Sequence, residues 1–227
     1  MKETGLIFST DMVKAIQDGR KTQTRRIIKP QPHEEEYLEV GNFTPALIDK
    51  DGEMYPADYQ IFGAYTSDGE LTWKCPYGQV GDRLWVRETF AIGSYTHKKW
   101  AEIHYKAGGS LLIFKGWNDW LEKNTQYGGS TVGDGDKWRS SRFIPKWASR
   151  ITLEITEVRV ERLNQITEED AIAEGAIVKH SEDTDEAGYS FRLGFIDLWD
   201  SLNAKRGDWA SNPWVWVISF KVFDDSR

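Results

Sequence analysis

The residues best suited to chemistry in this chain lie close together near its amino end. In the run Gly19-Arg20-Lys21-Thr22-Gln23-Thr24-Arg25-Arg26, one amine stands among three guanidinium groups with a hydroxyl three positions on. A lysine crowded by other cations and partly removed from water has its pKa lowered and can act as a base. Arg20, Arg25 and Arg26 are such neighbours for Lys21. Thr24 is then a candidate nucleophile, its hydroxyl proton taken by the Lys21 amine in the manner of Ser-Lys hydrolases. Residues three apart face opposite ways in a strand, so Lys21 and Thr24 can share a site only if the chain turns between them. The same cations could equally bind a phosphate, which needs no catalysis.

A second basic stretch lies further on. From Lys137 to Arg150 the bases Lys137, Arg139, Arg142, Lys146 and Arg150 occur with no acid, interleaved with Trp138, Phe143 and Trp147. The formal net charge of the 227 residues is −7. Such a balance argues against indiscriminate binding to duplex DNA and for local anion sites. Arg139, Arg142 and Lys146 are candidate nucleic-acid contacts, with single-stranded RNA as the partner class. Trp85 and Trp216 are candidates to stack on a base, worth about 1–3 kcal/mol per base; burial in the core is the alternative for each. Glu88, next to Arg87, reads as a supporting carboxylate or as one half of an ion pair. With a single cysteine, Cys75, no intramolecular disulfide can form. The four histidines, His33, His97, His104 and His180, lack ligand spacing, and Asp134-Gly135-Asp136 reads as a polar turn without the later ligands of a calcium loop. Neither a metal nor a cofactor is expected.

The elements that must position these groups can be read from patterning. Leu6-Ile7-Phe8 reads as a strand, followed by a short helix capped by Ser9 or Thr10 and stopped at Gly19. Residues 30–82 carry repeated turn signals around weak strand patterns, as in a hairpin-bearing insertion. They include the acidic run Glu34-Glu35-Glu36. Gly81-Asp82 turns into a strand at Arg83–Phe90, where Leu84 and Val86 point away from Trp85 and Arg87. Ile103–Ala107 is another short strand, and Gly128–Gly135 reads as a flexible loop. Arg150–Leu163 alternates, then slips register near Thr156 and Glu157, as a β-bulge would make it. Thr167 is a strong N-cap with Glu168, Glu169 and Asp170 behind it, and Gly175 ends that helix. Phe191, Phe195, Leu198 and Leu202 mark an amphipathic helix, and Trp214–Phe223 a central strand opened by Pro213. Strands outnumber helices with no parallel-sheet alternation. The class expected is α+β, a mixed, mostly antiparallel small barrel with short helices. No apolar run reaches transmembrane length and no leader pattern is visible, so no membrane partner and a cytoplasmic location are expected.

The run from Gly19 to Arg26 resembles the Gly-x-Lys-x-x-Thr-x-Arg signature of ASCH domains, relatives of the PUA RNA-binding barrel. Further pieces look like that family in the same order: Gly81-Asp82, the strand Ile151–Val160, Ile166-Thr167-Glu168-Glu169-Asp170-Ala171 ahead of Glu174, and Val215–Val222. The closest likeness is to larger, phage- or prophage-type members. It covers about half the chain and implies one PUA-like domain over residues 1–227 with insertions at about 31–80 and 91–149. One branch of the family, the acetylcytidine amidohydrolases, hydrolyses the amide on the exocyclic nitrogen of acylated cytidine without a metal. By motif, the resemblance implies catalytic roles for Lys21, Thr24 and Glu174. Arg25, Arg26, Trp85, Arg87, Glu88 and Trp216 would contact the nucleoside or nucleotide. Other branches resemble ribonucleases or have no assigned activity, so turnover, RNA cleavage and simple nucleotide binding all stay open.

Overall fold

Alternating runs dominate the sequence, and strands dominate the fold. The computed structural model describes residues 1–33, 37–96, 100–113, 119, 121, 138–181 and 188–224. The acidic run Glu34–Glu36, His97, the glycine-rich stretch 128–135 with its Asp134–Asp136 turn, and Lys137 lie outside those residues. The elements begin with β1 (Glu3–Ile7), α1 (Thr10–Gln17), β2 (Gln23–Ile27), β3 (Leu38–Phe43), β4 (Ala46–Ile48), β5 (Met54–Pro56), β6 (Ile61–Thr66) and β7 (Thr72–Lys74). Next come β8 (Arg83–Arg87), β9 (Phe90–Thr96), β10 (Trp100–Tyr105), β11 (Ser110–Ile113) and β12 (Thr152–Arg162). The chain closes with α2 (Glu168–Ala173), β13 (Lys179–Ser181), β14 (Gly188–Ser190), α3 (Phe191–Asn203) and β15 (Trp214–Val222). The class is α+β with mostly antiparallel strands. No helix among the described residues is long and apolar enough to cross a membrane.

The chain divides into two compact units. The first comprises Met1–Lys2, Gly19–Arg83 and Glu154–Lys221; the second comprises Glu3–Asp18, Leu84–Leu153 and Val222–Arg227.

In the first unit β15 lies between β12 and β2. It is apolar on both sides, and Val215, Trp216, Val217, Ile218 and Phe220 are all buried, as a central strand requires. Its antiparallel register with β2 pairs Val215 with Ile27, Trp216 with Arg26, Val217 with Arg25, Ile218 with Thr24 and Ser219 with Gln23. Directly opposed residues share a face of the sheet. One face therefore carries Gln23, Arg25 and Ile27 with Val215 and Val217; the other carries Thr24 and Arg26 with Trp216 and Ile218. Val215 and Val217 pack in a core with Leu163, Ile166, Ala171, Phe195 and Trp199.

Two short helices complete that core. The Thr167 hydroxyl accepts from the Asp170 N–H at 3.1 Å, three acids occupy the first turn of α2, and Gly175 ends it at φ +77°. The Ser190 hydroxyl accepts from Leu193 N–H, and Glu168 of α2 accepts the Phe191 N–H at 2.8 Å, so an acid of one helix helps cap the next. Within residues 31–80, β3, β6 and β7 form an antiparallel sheet and β4 pairs with β5, the hairpins expected of that stretch. On β12 the alternation stops at Thr156 and Glu157, both exposed.

In the second unit the strand order is β1, β8 and the start of β12. The first strand is Glu3–Ile7 rather than Leu6–Phe8; Phe8 still donates its N–H to the Arg87 carbonyl at 3.1 Å. Ser9 caps α1 by accepting from Met12 N–H, and Val13, Ala15 and Ile16 form its buried face. The strands β9, β10 and β11 form an antiparallel sheet, and Phe90, Ile103, Tyr105, Ile144 and Ala148 make the core.

Candidate functional site

Lys21 enters the first unit just after Gly19, whose φ of +72° suits the glycine that follows a helix. An isolated antiparallel bridge joins Lys21 to Glu174, reinforced by the Thr22 N–H donating to the Ala173 carbonyl at 2.8 Å. Thr22 in turn accepts at its carbonyl from the Phe220 N–H at 2.8 Å. The segment ahead of β2 is thus held on one side by the end of α2 and on the other by β15.

The side chains follow the backbone. The Lys21 ammonium donates to the Glu174 Oε2 at 2.7 Å and to the Glu174 carbonyl oxygen at 2.7 Å. Lys21 is 2% exposed and Glu174 3%, so water screens their attraction little. Burial pushes the Lys21 pKa below the ordinary lysine range; the charge and hydrogen bond of Glu174 oppose that, and the charges of Arg26 and Arg25 add to it. A lowered amine within hydrogen-bond reach of a carboxylate can pass a proton in either direction.

Arg25 supplies the second hold on Glu174. Its Nη1 donates to Glu174 Oε1 at 3.3 Å and to Gln23 Oε1 at 2.6 Å. Its Nε donates to Glu161 Oε1 at 3.1 Å, and its Nη2 to Glu161 Oε1 at 2.5 Å and Asp170 Oδ2 at 2.8 Å. A guanidinium has five N–H donors, and all five of these contacts end on protein oxygens. The Phe195 ring lies 5.8 Å beneath the guanidinium carbon. Arg159 closes the network, donating from Nη2 to both Asp170 oxygens at 2.8 Å and from Nε to Glu161 Oε2 at 3.2 Å. Burial pushes the Asp170 carboxyl upward, but the bonds and charges of Arg159 and Arg25 outweigh it and hold the group below the usual aspartate range.

Thr24 is 1% exposed. It sits on the face of β2 opposite Arg25, beside Arg26 and across from Ile218, and neither Lys21 nor Glu174 hydrogen-bonds its hydroxyl among the described residues. Arg26 is near enough for its charge to act on Lys21 and for that of Glu174 to act on it. Tyr77 lies near Arg26; burial raises the phenol pKa, with the Arg26 charge opposing. Trp216 lies across from Arg26 but is only 2% exposed, a core side chain as the strand stands.

The remaining candidates belong to the second unit. Trp85 and Arg87 share a face of β8, the Arg87 guanidinium carbon 5.3 Å from the Trp85 ring centre. The indole lies over Gly5, where a Cβ would clash with it. Arg87 Nη2 donates to the Arg142 carbonyl. Glu88 pairs with Arg150 rather than Arg87, through bonds from Nε and Nη2 of 2.9 Å each, and is 1% exposed. Both its oxygens are engaged in this clamp. Lys146 pairs with Glu3. Trp138, Phe143 and Trp147 are 43%, 64% and 37% exposed, among Arg139, Arg142 and Lys146. Among the described residues no group of three or more His, Cys, Asp or Glu side chains is arranged to hold a metal ion.

Gln23, Arg159, Glu161 and Asp170 are the site residues that sequence reasoning missed. The charged alternation Glu157, Arg159, Glu161 on a strand was the available signal, since period two puts all three on one face. The chain matches no protein-family model, no curated protein and no solved structure.

Proposed function

We propose that this chain is an ASCH-type, PUA-like protein that hydrolyses the amide on the exocyclic nitrogen of an acylated cytosine nucleoside. The observation that carries this reading is the buried ion pair between Lys21 and Glu174. It joins the two motif pieces that the resemblance names, across 153 positions of chain. A pair kept from water with a lysine held below its ordinary pKa is suited to moving protons.

In the proposed reaction the neutral Lys21 amine takes the Thr24 hydroxyl proton as the Thr24 oxygen attacks the acyl carbon. The carbon–nitrogen bond then breaks, and the proton returns to the exocyclic nitrogen through Lys21 and Glu174. Water cleaves the resulting threonyl ester, releasing the carboxylic acid and restoring the hydroxyl. Arg26, beside Thr24 and electrostatically coupled to the pair, would bind the nucleoside. Barrel closure in the PUA manner belongs to the same proposal. Thr24→Val keeps the side-chain shape and removes the nucleophile. In a chromatographic assay of acetylcytidine with a chelator present, it should abolish cytidine release, whereas Thr24→Ser should retain some. Full activity in Thr24→Val would exclude the threonine as nucleophile.

A second reading is favoured by the exposed Trp138, Phe143 and Trp147 among the bases of the second unit. Stacking aromatics beside cations suit single-stranded RNA, and a protein using only that surface would bind without turnover.

A further inference from the structure

We infer that Arg25 is a positioning residue that aims the Glu174 carboxylate at Lys21, and that it makes no contact with substrate. This rests on the hydrolase reading above and assigns a role to a residue that the family signature leaves unspecified.

Three observations carry the inference. The Arg25 side chain is 0% exposed, so nothing arriving from solvent reaches it without rearrangement. Each of its five N–H donors already has a protein acceptor: Glu161 twice, and Gln23, Asp170 and Glu174 once each. The fork is also anchored from behind. Glu161 on β12 and Asp170 on α2 are themselves gripped by Arg159, so the guanidinium plane is fixed before it meets Glu174. Glu174 consequently accepts from Arg25 on Oε1 and from Lys21 on Oε2, an arrangement that sets both the direction of the carboxylate and the charge that Lys21 feels.

The groups facing Arg25 are Lys21 from the segment ahead of β2, Gln23 on the same face of β2, Asp170 and Glu174 from α2 and its end, Glu161 and Arg159 from β12, and the Phe195 ring from α3. Among the described residues, only Glu174 connects Arg25 by direct hydrogen bonds to the reacting lysine. Loss of Arg25 should therefore act through Glu174 and Lys21 rather than through substrate affinity.

The test compares wild type, Arg25→Gln and Arg25→Lys in two measurements. The first is kcat and KM for acetylcytidine across pH. The second is the titration of the Lys21 side chain by carbon-13 NMR, identified by its loss in Lys21→Ala, which needs no substrate. Arg25→Gln should lower kcat by about 10²-fold, within the range typical of proton-transfer catalysis, and leave KM within about twofold. A change confined to kcat marks an interaction that is not made with the bound substrate. The Lys21 midpoint should rise, because a neighbouring cation has gone, and the acid limb of the rate profile should rise with it. Arg25→Lys should return the midpoint toward wild type without restoring kcat, since it keeps the charge and loses the fork.

If Arg25→Gln fails to fold, Arg25→Gln combined with Glu161→Gln removes one charge of each sign, and the same predictions apply. A raised KM with unchanged kcat and an unmoved Lys21 midpoint would overturn the inference and make Arg25 a substrate ligand. If wild type shows no turnover, the hydrolase reading fails. The Lys21 midpoint then still decides whether Arg25 governs the pair.

Discussion

At the scale of single residues, the pair at the site is asymmetric, and the asymmetry is measurable. Among the described residues Lys21 has one carboxylate partner, whereas Glu174 has two cations, Lys21 and Arg25. Breaking a buried pair by removing one partner typically costs about 3–5 kcal/mol, because the other charge is left uncompensated. Glu174→Gln should therefore destabilise the fold more than Lys21→Ala, since Arg25 still balances Glu174 in the latter. The pH dependence follows from the sign of the lysine shift. Lys21 is already depressed by burial, and Glu174 is what opposes the depression; without it the folded-state pKa falls further. A base whose pKa is depressed on folding favours the folded state fully above its unfolded value, about 10.4, and loses that contribution as pH falls through the folded value. Urea unfolding of Glu174→Gln should thus show stability rising from neutral pH toward about pH 10, more steeply than wild type. A flat difference between the two proteins would mean that Lys21 is not the group left exposed to the loss. The contact between Lys21 and Glu174 was legible because both motif pieces resemble one family. Its supporting charges were not: whether Arg25 reaches Glu161 and Asp170 depends on how β12 and α2 pack beside β2, which local spacing does not encode.

At the scale of elements, caps and turns were the most readable features because their chemistry is local. Ser9 and Thr167 each accept from a backbone N–H in the first turn of a helix, and Gly19 and Gly175 take the positive φ values that end helices; the Ser190 cap of α3 was not read. The strands β1, β8, β10, β12 and β15 were also legible, whereas β2, β9, β11, β13 and β14 and the pairing of all of them were not. The order β12, β15, β2 brings together segments nearly two hundred positions apart, and only long-range register reveals that Thr24 lies across from Ile218 and Arg25 across from Val217. One helix contact could not have been foreseen at all. A Cβ on Gly194 of α3 would fall well inside contact distance of the Ile177 carbonyl oxygen, three residues beyond Glu174. Alanine has the better helix propensity by about 1 kcal/mol, yet the obstacle is backbone and cannot swing aside. Gly194→Ala should lower stability by roughly 1–3 kcal/mol, the usual cost of overpacking. It should also reduce the proposed hydrolysis by displacing the Glu174 segment. A thermal midpoint equal to or above wild type would show that the close approach is relieved at no cost.

At the scale of the whole molecule, charge distribution matters more than total charge. The chain is acidic overall, yet residues 138–150 carry four bases and no acid, with three aromatics partly open to solvent. If this stretch binds single-stranded RNA, affinity must fall with added salt, because each neutralised phosphate releases counterions. Arg142→Ala should weaken binding and reduce the slope of log affinity against log salt by about 1. Binding that ignores salt, or a variant with the full slope, would remove this surface from consideration. The division into two units was not legible, since each is assembled from three separate pieces of chain and composition changes little across the joins. It sorts the candidates usefully. Lys21, Thr24, Arg25, Arg26, Glu174 and Trp216 fall in one unit, and Trp85, Arg87, Glu88, Arg139, Arg142 and Lys146 in the other.

The hydrolase proposal rests on a lysine and a glutamate sequestered from water doing the chemistry. Cytidine release from acetylcytidine, followed by chromatography for purified wild type and for Lys21→Ala with folding verified by circular dichroism, tests it most directly. Wild type should release equimolar cytidine and acetate, and the variant none above the uncatalysed rate. Equal product from both proteins would refute the role of the pair.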